Sequence, residues 1–315
     1  MKKQFAGSLQ EGDVLNDYFV AARKDLRDTQ SGSKFLGMVL KDRTGEVGAI
    51  LWTNAASVAR QFEVGDVVNV RGTVTTYQDK LQVRIEQVLP MRSGEFETVD
   101  LVYIPDNIAD IRKHFFDLIG TVKNEWLKKL VECFFKDKEL VDRFAAAAAG
   151  KKWHHSYRGG LLQHCYEIAQ IVEGVCKVFP KLDRDMLMAA VLFHDLGKVY
   201  EMSHDLNVDY TDAGKLVGHL VIGTHIVQKM IDTIDGFPEP IRLQLFHCIL
   251  SHHGELVNGS PIVPKTLEAL VLFHCDNLDA QVDAWSRVVE ETRDKDQQWS
   301  DYITTIARQI WTKGA

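Results

Sequence analysis

The chain has 315 residues, 45% of them apolar and 26% charged, with a net charge of −7; this is the make-up of a globular protein with room for one large domain or two ordinary ones. It is not the charge of an obvious nucleic-acid binder, and no apolar run approaches the roughly 18 residues a membrane helix needs. The charge is unevenly spread, 13 Lys and Arg against 12 Asp and Glu in residues 1–95 and 24 against 32 beyond, and bound divalent cations would offset that second deficit. Five cysteines without Cys-x-x-Cys spacing, and a start lacking the apolar stretch of a secretion signal, point to reduced thiols in a cytoplasmic protein.

Residues 14 to 90 read as strands. Tyr18–Ala22 is a short apolar run, and Lys34–Leu40 follows a Ser-Gly-Ser turn. Asp42-Arg43-Thr44-Gly45 is a tight-turn signal that pairs this run with Glu46–Trp52 as a hairpin. Asn54–Phe62 reads as one helix, Asp66–Val74 as a fourth strand, and Lys80–Val88 alternates cleanly as a fifth. Five short strands with a helix between the third and fourth is the order of an OB-fold barrel. Such barrels bind single strands through stacking aromatics and phosphate-tracking cations. The candidates here are Lys34, Phe35, Arg43, Trp52, Arg71, Tyr77 and Arg84, although Phe35 and Trp52 also suit core or edge filling and each arginine alone suits a solvated strand. The segments Phe35-Leu36-Gly37-Met38-Val39-Leu40-Lys41-Asp42-Arg43-Thr44-Gly45-Glu46, Ala49-Ile50-Leu51-Trp52 and Val64-Gly65-Asp66-Val67-Val68-Asn69-Val70-Arg71-Gly72 resemble OB domains of the anticodon-binding type.

Residues 93–105, with Ser93-Gly94 and no long period, read as a linker between a barrel domain at 1–92 and a helical domain at 106–315. Helices are expected over Ile108–Ile119, Val122–Phe135, Lys138–Ala149, Gly160–Phe179, Arg184–Leu196, His219–Ile234, Ile241–Ser251 and Pro264–Ala284, with a helical tail from Ser300. Asp183 and Pro264 stand where helix starts want them, Gly197 reads as a helix stop, and Met202–Asp212 reads as a loop or small hairpin. The architecture expected is therefore two-domain and α+β: a small five-stranded OB barrel, then an all-α bundle.

Twelve histidines are many, and all but His114 fall between His154 and His274 inclusive. His194-Asp195 ends the apolar run Met186–Phe193, with Leu187, Ala190 and Val191 on the face of His194. His164 has Leu161, Ile168 and Ile171 on its face; His219 has Ile222 and Ile226; His252 has Leu245 and Ile249; His253 has Ile249 and Leu250; Asp276 has Leu272 and Phe273. One core histidine is usually a satisfied structural residue. Five helices each turning His or Asp inward call for a shared charge to coordinate. Imidazole and carboxylate without thiolate suit manganese, iron, cobalt, zinc or magnesium.

The order His164, His194-Asp195, Asp276 resembles the HD superfamily of metal-dependent phosphohydrolases. That resemblance implies one ion on His164, His194, Asp195 and Asp276. It implies a second on His219, His252 and His253, with Asp195 as the bridge and Lys198 near the phosphate. The stretch Trp153-His154-His155-Ser156-Tyr157-Arg158-Gly159-Gly160-Leu161-Leu162-Gln163-His164 is similar to a segment of the YhaM-type 3′→5′ exoribonucleases, with Gln163 where that family has an acidic residue. An OB domain before an HD domain is also that family's arrangement.

The resemblance implies two divalent ions, with manganese first among the candidates. It also implies a single-stranded RNA or DNA partner, no membrane, a homo-oligomeric assembly, and catalytic roles for Asp195, Lys198 and His155. In that scheme His155 or a water protonates the leaving 3′-oxygen, and His154 and Arg158 contact substrate phosphates. Two other functions stay open at this point: a phosphohydrolase of small nucleotides, and a single-strand-binding protein with an inert HD domain. The barrel disfavours the first, and the complete ligand set disfavours the second.

Overall fold

Alternating apolar residues close the N-terminal strands into a barrel. The computed structural model describes residues 2–29, 32–151, 155–203, 206–293, 297–304 and 306–312. By internal contacts the chain divides into two units, Met1–Pro105 with His204–Asp209, and Asp106–Ser203 with Tyr210–Ala315.

In the first unit the strands are β1 (Val14–Asp28), β2 (Lys34–Asp42), β3 (Gly45–Leu51), β4 (Val67–Tyr77) and β5 (Lys80–Pro90), with the short helix α1 (Ala55–Val58) between β3 and β4. Their order around the closed barrel is β1-β2-β3-β5-β4. Every contact is antiparallel except β3 with β5, which run parallel in the register Gly48↔Gln82. The inward positions Leu36, Met38 and Leu40 of β2, Val47, Ala49 and Leu51 of β3, and Val83 and Ile85 of β5 form one core. Their outward neighbours are half-buried or exposed, as a period of two requires. Gln78 and Asp79 both take left-handed backbone, with φ of 49° and 59°, the signature of a two-residue hairpin turn joining β4 to β5.

Three features differ from the sequence expectation. The helix expected over Asn54–Phe62 is confined to Ala55–Val58. β1 runs to Asp28, beyond the expected Ala22, because Arg23 to Asp28 pair with β2 although these residues carry no apolar alternation. Residues 93–105, expected as a linker, pack on the barrel: Leu101 is fully buried with Tyr18, Val20 and Val67.

The second unit is helical: α2 (Ile108–Ile119), α3 (Glu125–Lys136), α4 (Lys138–Ala146), α5 (Gly160–Val178), α6 (Arg184–Phe193), α7 (Lys198–Glu201), α8 (Asp212–Leu216), α9 (His219–Ile231), α10 (Glu239–Ser251) and α11 (Leu267–Arg293). Side-chain caps fix several starts. The Asn124 side chain accepts from the Trp126 and Leu127 amides, which moves the start of α3 past the expected Val122. Asp183 accepts from the Met186 amide at 3.0 Å and opens α6 as expected.

Pro264 does not open α11. The Thr266 hydroxyl accepts from the Ala269 amide and sets the start there. α11 also continues nine residues past the expected Ala284, to Arg293. α6 is buried at every position from Met186 to Phe193, which makes it the central helix of the core. Met202 and Tyr210 form an isolated antiparallel bridge at the two ends of the polar segment, of which residues 204–205 lie outside the described residues. The expected helical tail from Ser300 is instead extended, with bridges Trp299↔Trp311 and Ile303↔Arg308.

Candidate metal centre

Five helix ends and faces of the second unit converge on Asp195. α5 carries His164 on its buried face, and α6 ends at His194, whose backbone stays helical. Asp195 follows, and Lys198 opens α7. His219 is the first residue of α9, His252 and His253 follow α10, and Asp276 lies on α11. Gly197 is not a helix stop, since its φ of −62° is ordinary right-handed backbone. It is needed for space: an added Cβ would stand 2.0 Å from the His219 carbonyl oxygen. That close approach lets α9 bring His219 to the turn holding Asp195.

The two carboxylate oxygens of Asp195 face different partners. Oδ2 lies 3.5 Å from Nε2 of both His164 and His194. Oδ1 lies 3.4 Å from Nε2 of His219 and 3.5 Å from Nε2 of His252. Asp276 Oδ1 is 3.0 Å from His164 Nε2 and 3.8 Å from His194 Nε2. His253 Nε2 lies 3.2 Å from His219 Nε2. The donor atoms of His164, His194, Asp195 and Asp276 all lie within 4.8 Å of one another, as do those of His219, His252 and His253. The structure thus brings together every residue expected to ligate metal, in the two sets expected.

The other nitrogen of each ring explains the orientation. Nδ1 of His194 donates to the Val191 carbonyl at 2.9 Å, and Nδ1 of His252 to the Ile249 carbonyl at 2.8 Å. Nδ1 of His164 donates to Asp279 at 2.6 Å, and Nδ1 of His219 to Glu201 at 2.9 Å. These acceptors hold the proton on Nδ1 and turn the Nε2 lone pair toward Asp195, the arrangement of metal-ligating histidines. Apart from an ion pair with Lys198 Nζ at 2.6 Å, neither oxygen of Asp195 has a hydrogen-bond partner among the described residues, and neither does Nε2 of His194. A fully buried carboxylate surrounded by lone pairs is costly unless a cation completes it. The residues therefore fit a pair of divalent ions.

Electrostatics agree with this donor set. Burial pushes His194 down to about 3 and His253 down to about 4, so both present neutral rings. Burial would raise Asp195, but Lys198 and the surrounding imidazoles outweigh it and hold the carboxylate well below its ordinary range. Burial likewise opposes the charge of Lys198, and Asp195 restores it and raises the ammonium. His164 differs: burial is outweighed by Asp195, Asp276 and Asp279, which raise it well above the ordinary histidine value, so an ion bound there would displace the proton on Nε2.

Sequence reasoning missed the acceptors behind the rings. Asp279 accepts from His164 Nδ1 and also lies 3.0 Å from His155 Nε2. Its signal was its place three residues after Asp276 on one helix face. Glu201 accepts from both the ring and the backbone amide of His219, and no spacing pointed to it. His155, expected as a proton donor, is buried, with Nδ1 2.9 Å from the Tyr157 hydroxyl and Nε2 on Asp279. It reaches the cluster through Asp279 and His164. Gln163 joins the same network, accepting from Tyr157 and donating to Glu167. Arg158 is exposed, and His154 lies outside the described residues.

The barrel positions fall into groups of their own. Phe35 and Trp52 flank the pair Leu36↔Leu51 at one end of the β2–β3 hairpin, with ring centroids 5.0 Å apart and Trp52 50% exposed. Arg84 points outward from β5, opposite Ile50 of β3 and Thr73 of β4. Lys34 pairs with Asp28 at 2.7 Å, and Arg71 stands 4.0 Å from Glu86. Arg43 lies at the β2–β3 turn over the Phe5 ring, and exposed Tyr77 ends β4. Phe35, Trp52 and Arg84 thus share an outward face, while Arg43 and Tyr77 sit at the hairpin tips.

Residues 161–281 match the family of HD domains, and residues 20–91 match the tRNA anti-codon family of OB-fold nucleic acid binding domains. The chain therefore carries an N-terminal OB-fold nucleic-acid-binding domain and a C-terminal HD domain. Together these support a nucleic-acid-binding phosphohydrolase of the HD class. Among solved structures, a domain of replication protein A from Methanococcus maripaludis is 18% identical, covering 28% of this chain and 94% of its own, with a TM-score of 0.25. The single-stranded DNA binding protein from Thermus aquaticus is 21% identical, covering 26% of this chain and 41% of its own, with a TM-score of 0.23. Among the described residues no helix is long and apolar enough to cross a membrane.

Proposed function

We propose that this protein is a metal-dependent 3′→5′ exoribonuclease that shortens single-stranded RNA to nucleoside 5′-monophosphates, its OB domain holding the strand and its HD domain cleaving it. The observation that carries the reading is the split carboxylate of Asp195, with two inward-turned imidazoles on each of its oxygens. Bound there, two divalent ions, manganese first among them, would neutralise phosphate charge and lower the pKa of a water.

The chain's own residues do the rest. His164, His194, Asp195 and Asp276 would hold one ion, and Asp195, His219, His252 and His253 the other. Lys198, its ammonium sustained by Asp195, meets the charge that develops on the phosphate. Asp279 fixes the ring of His164, with His155 and Tyr157 behind it, and Glu201 fixes the ring of His219. A water protonates the leaving 3′-oxygen, since His155 has both ring nitrogens engaged. On the barrel, Phe35, Trp52 and Tyr77 stack bases and Arg84, Arg71, Lys34 and Arg43 follow the backbone. The free thiols support a cytoplasmic location.

End-labelled single-stranded RNA and DNA, incubated with manganese-loaded protein, test the reading. A ladder shortening from the 3′ end of RNA is the result expected. Cleavage of free nucleotides alone would replace it with a small-nucleotide phosphohydrolase, and a mobility shift without cleavage with a binding protein.

A further inference from the structure

A cavity of about 680 Å³ opens beside the ligand cluster, within the roughly 300–1,000 Å³ range of small-molecule sites. One part of its wall is Lys198, His252, His253 and Asp276, so a phosphate held at the cluster projects its nucleoside into this space. The rest of the wall is not ligand chemistry. Phe273 and Trp285 of α11 supply aromatic surface, and the Trp285 indole nitrogen is buried with no hydrogen-bond partner among the described residues. The Phe273 ring is seated against Gly254, where an added Cβ would stand 2.2 Å from it and the backbone φ is +77°. Gly254 directly follows His253, so the turn that shapes the second ligand set also sets the aromatic wall. Gln281 donates to Asn277 Oδ1 at 2.9 Å, a bond that uses neither the Gln281 carbonyl nor the Asn277 amide hydrogens, which can meet a sugar hydroxyl or a base edge.

The remaining wall comes from the C-terminal segment, beyond the region matched to the HD family. Ile306, Ala307 and Arg308 line the cavity there. The segment is tied by the bridges Ile303↔Arg308 and Trp299↔Trp311. Arg308 Nε donates to the Ile306 carbonyl, and among the described residues no carboxylate pairs with its guanidinium. An unpaired guanidinium at the mouth of a cavity lined by aromatics and amides is suited to a phosphate with a nucleoside attached.

We propose that this cavity is the pocket for the 3′-terminal nucleotide, and that Arg308 of the C-terminal segment anchors the nucleotide's phosphate. The inference rests on the exonuclease reading for the identity of its ligand. It adds that the pocket, sized for one small ligand and walled on one side by Ile306, Ala307 and Arg308, selects a strand terminus over a strand interior.

The test uses the full-length, manganese-loaded protein and its variants R308A and R308K, with adenosine 5′-monophosphate binding measured by equilibrium dialysis beside RNA cleavage. R308A is expected to weaken adenosine monophosphate binding by about tenfold and to raise KM for single-stranded RNA similarly, the loss of one charge-assisted contact, with kcat little changed. R308K recovers part of the affinity, and both variants keep the parent's circular dichroism and melting temperature. Adenosine monophosphate affinity in R308A within about twofold of the parent overturns the inference whatever the cleavage assay shows. So does absence of binding by the parent protein. Binding that is lost in R308A, together with no 3′ shortening of RNA, supports the pocket and removes the exonuclease reading instead.

Discussion

Glu201→Gln isolates one half of the candidate centre. Glu201 Oε1 accepts from His219 Nδ1 at 2.9 Å and from the His219 backbone amide at 3.0 Å. Burial would raise this carboxyl, but the contacts to His219 outweigh it and keep it ionised. Glutamine keeps the shape and one accepting oxygen but loses the charge. Bonds to a charged acceptor are about twice as strong as neutral ones, and removing such an outer partner typically costs about 10–100-fold in metal affinity, or about 1.4–2.8 kcal/mol. The loss should fall on the ion held by His219, His252 and His253, because Glu201 touches neither His164 nor His194. Calorimetric titration of metal-free protein with manganese should show one site unchanged and one weakened by that factor. Glu201→Ala should add a stability loss of about 1 kcal/mol, since it also leaves the first amide of α9 uncapped. Equal weakening of both sites, or of neither, would refute the assignment of Glu201 to the second ligand set.

Four further outcomes follow from the same geometry. Replacing both His194 and Asp195 with Ala should abolish turnover and manganese uptake while the barrel keeps its β-sheet circular dichroism; retained turnover sinks the centre. Trp52→Ala should weaken single-stranded RNA binding by about 1–3 kcal/mol with little change in thermal stability, because half of the ring is already in water; an unchanged affinity removes Trp52 from the interface. Phe193→Ala empties a fully buried site beside Phe134 and should cost about 3–5 kcal/mol in urea denaturation; a loss under about 1 kcal/mol would mean the core closes around it. Without metal, His194 and His253 stay neutral down to about 3 and about 4, while unfolded histidines protonate near 6.5. Their contribution is present above pH ~6.5 and is lost as pH falls toward 4, so the urea midpoint in EDTA should drop across that window. A midpoint that rises on acidification contradicts the neutral-ring assignment.

The ligands were legible because each stands among apolar residues at helical spacing. His164 with Leu161 and Ile168 announces a buried imidazole, and Asp276 with Leu272 does the same for a carboxylate. The barrel was legible because Leu81, Val83 and Ile85 alternate with Gln82, Arg84 and Glu86, up to the irregularity in the β4–β5 register at Glu86. The residues behind the ligands carried no such mark. Asp279 follows exposed Leu278 and reads as a solvated helix charge. Glu201 arrives through a one-turn helix in a polar stretch, where period says nothing. Gly197 looked like punctuation because composition cannot express the nearness of another helix's carbonyl. Arg308 reaches its cavity through two isolated bridges in a segment whose apolar residues fit helix or strand equally well.

The contact of Gly197 with the His219 backbone has a mechanical consequence. Asp195, in the turn after α6, and His219, on α9, can stay together only while two main chains touch with no side chain between them. Ions shared by Asp195 would act as rivets through that seam, fastening α5, α6, α9, α10 and α11 at one point. By mass action, chelation should then lower the melting temperature of the whole helical unit. An alanine at position 197 would wedge the seam apart and loosen the rivets without altering a single ligand.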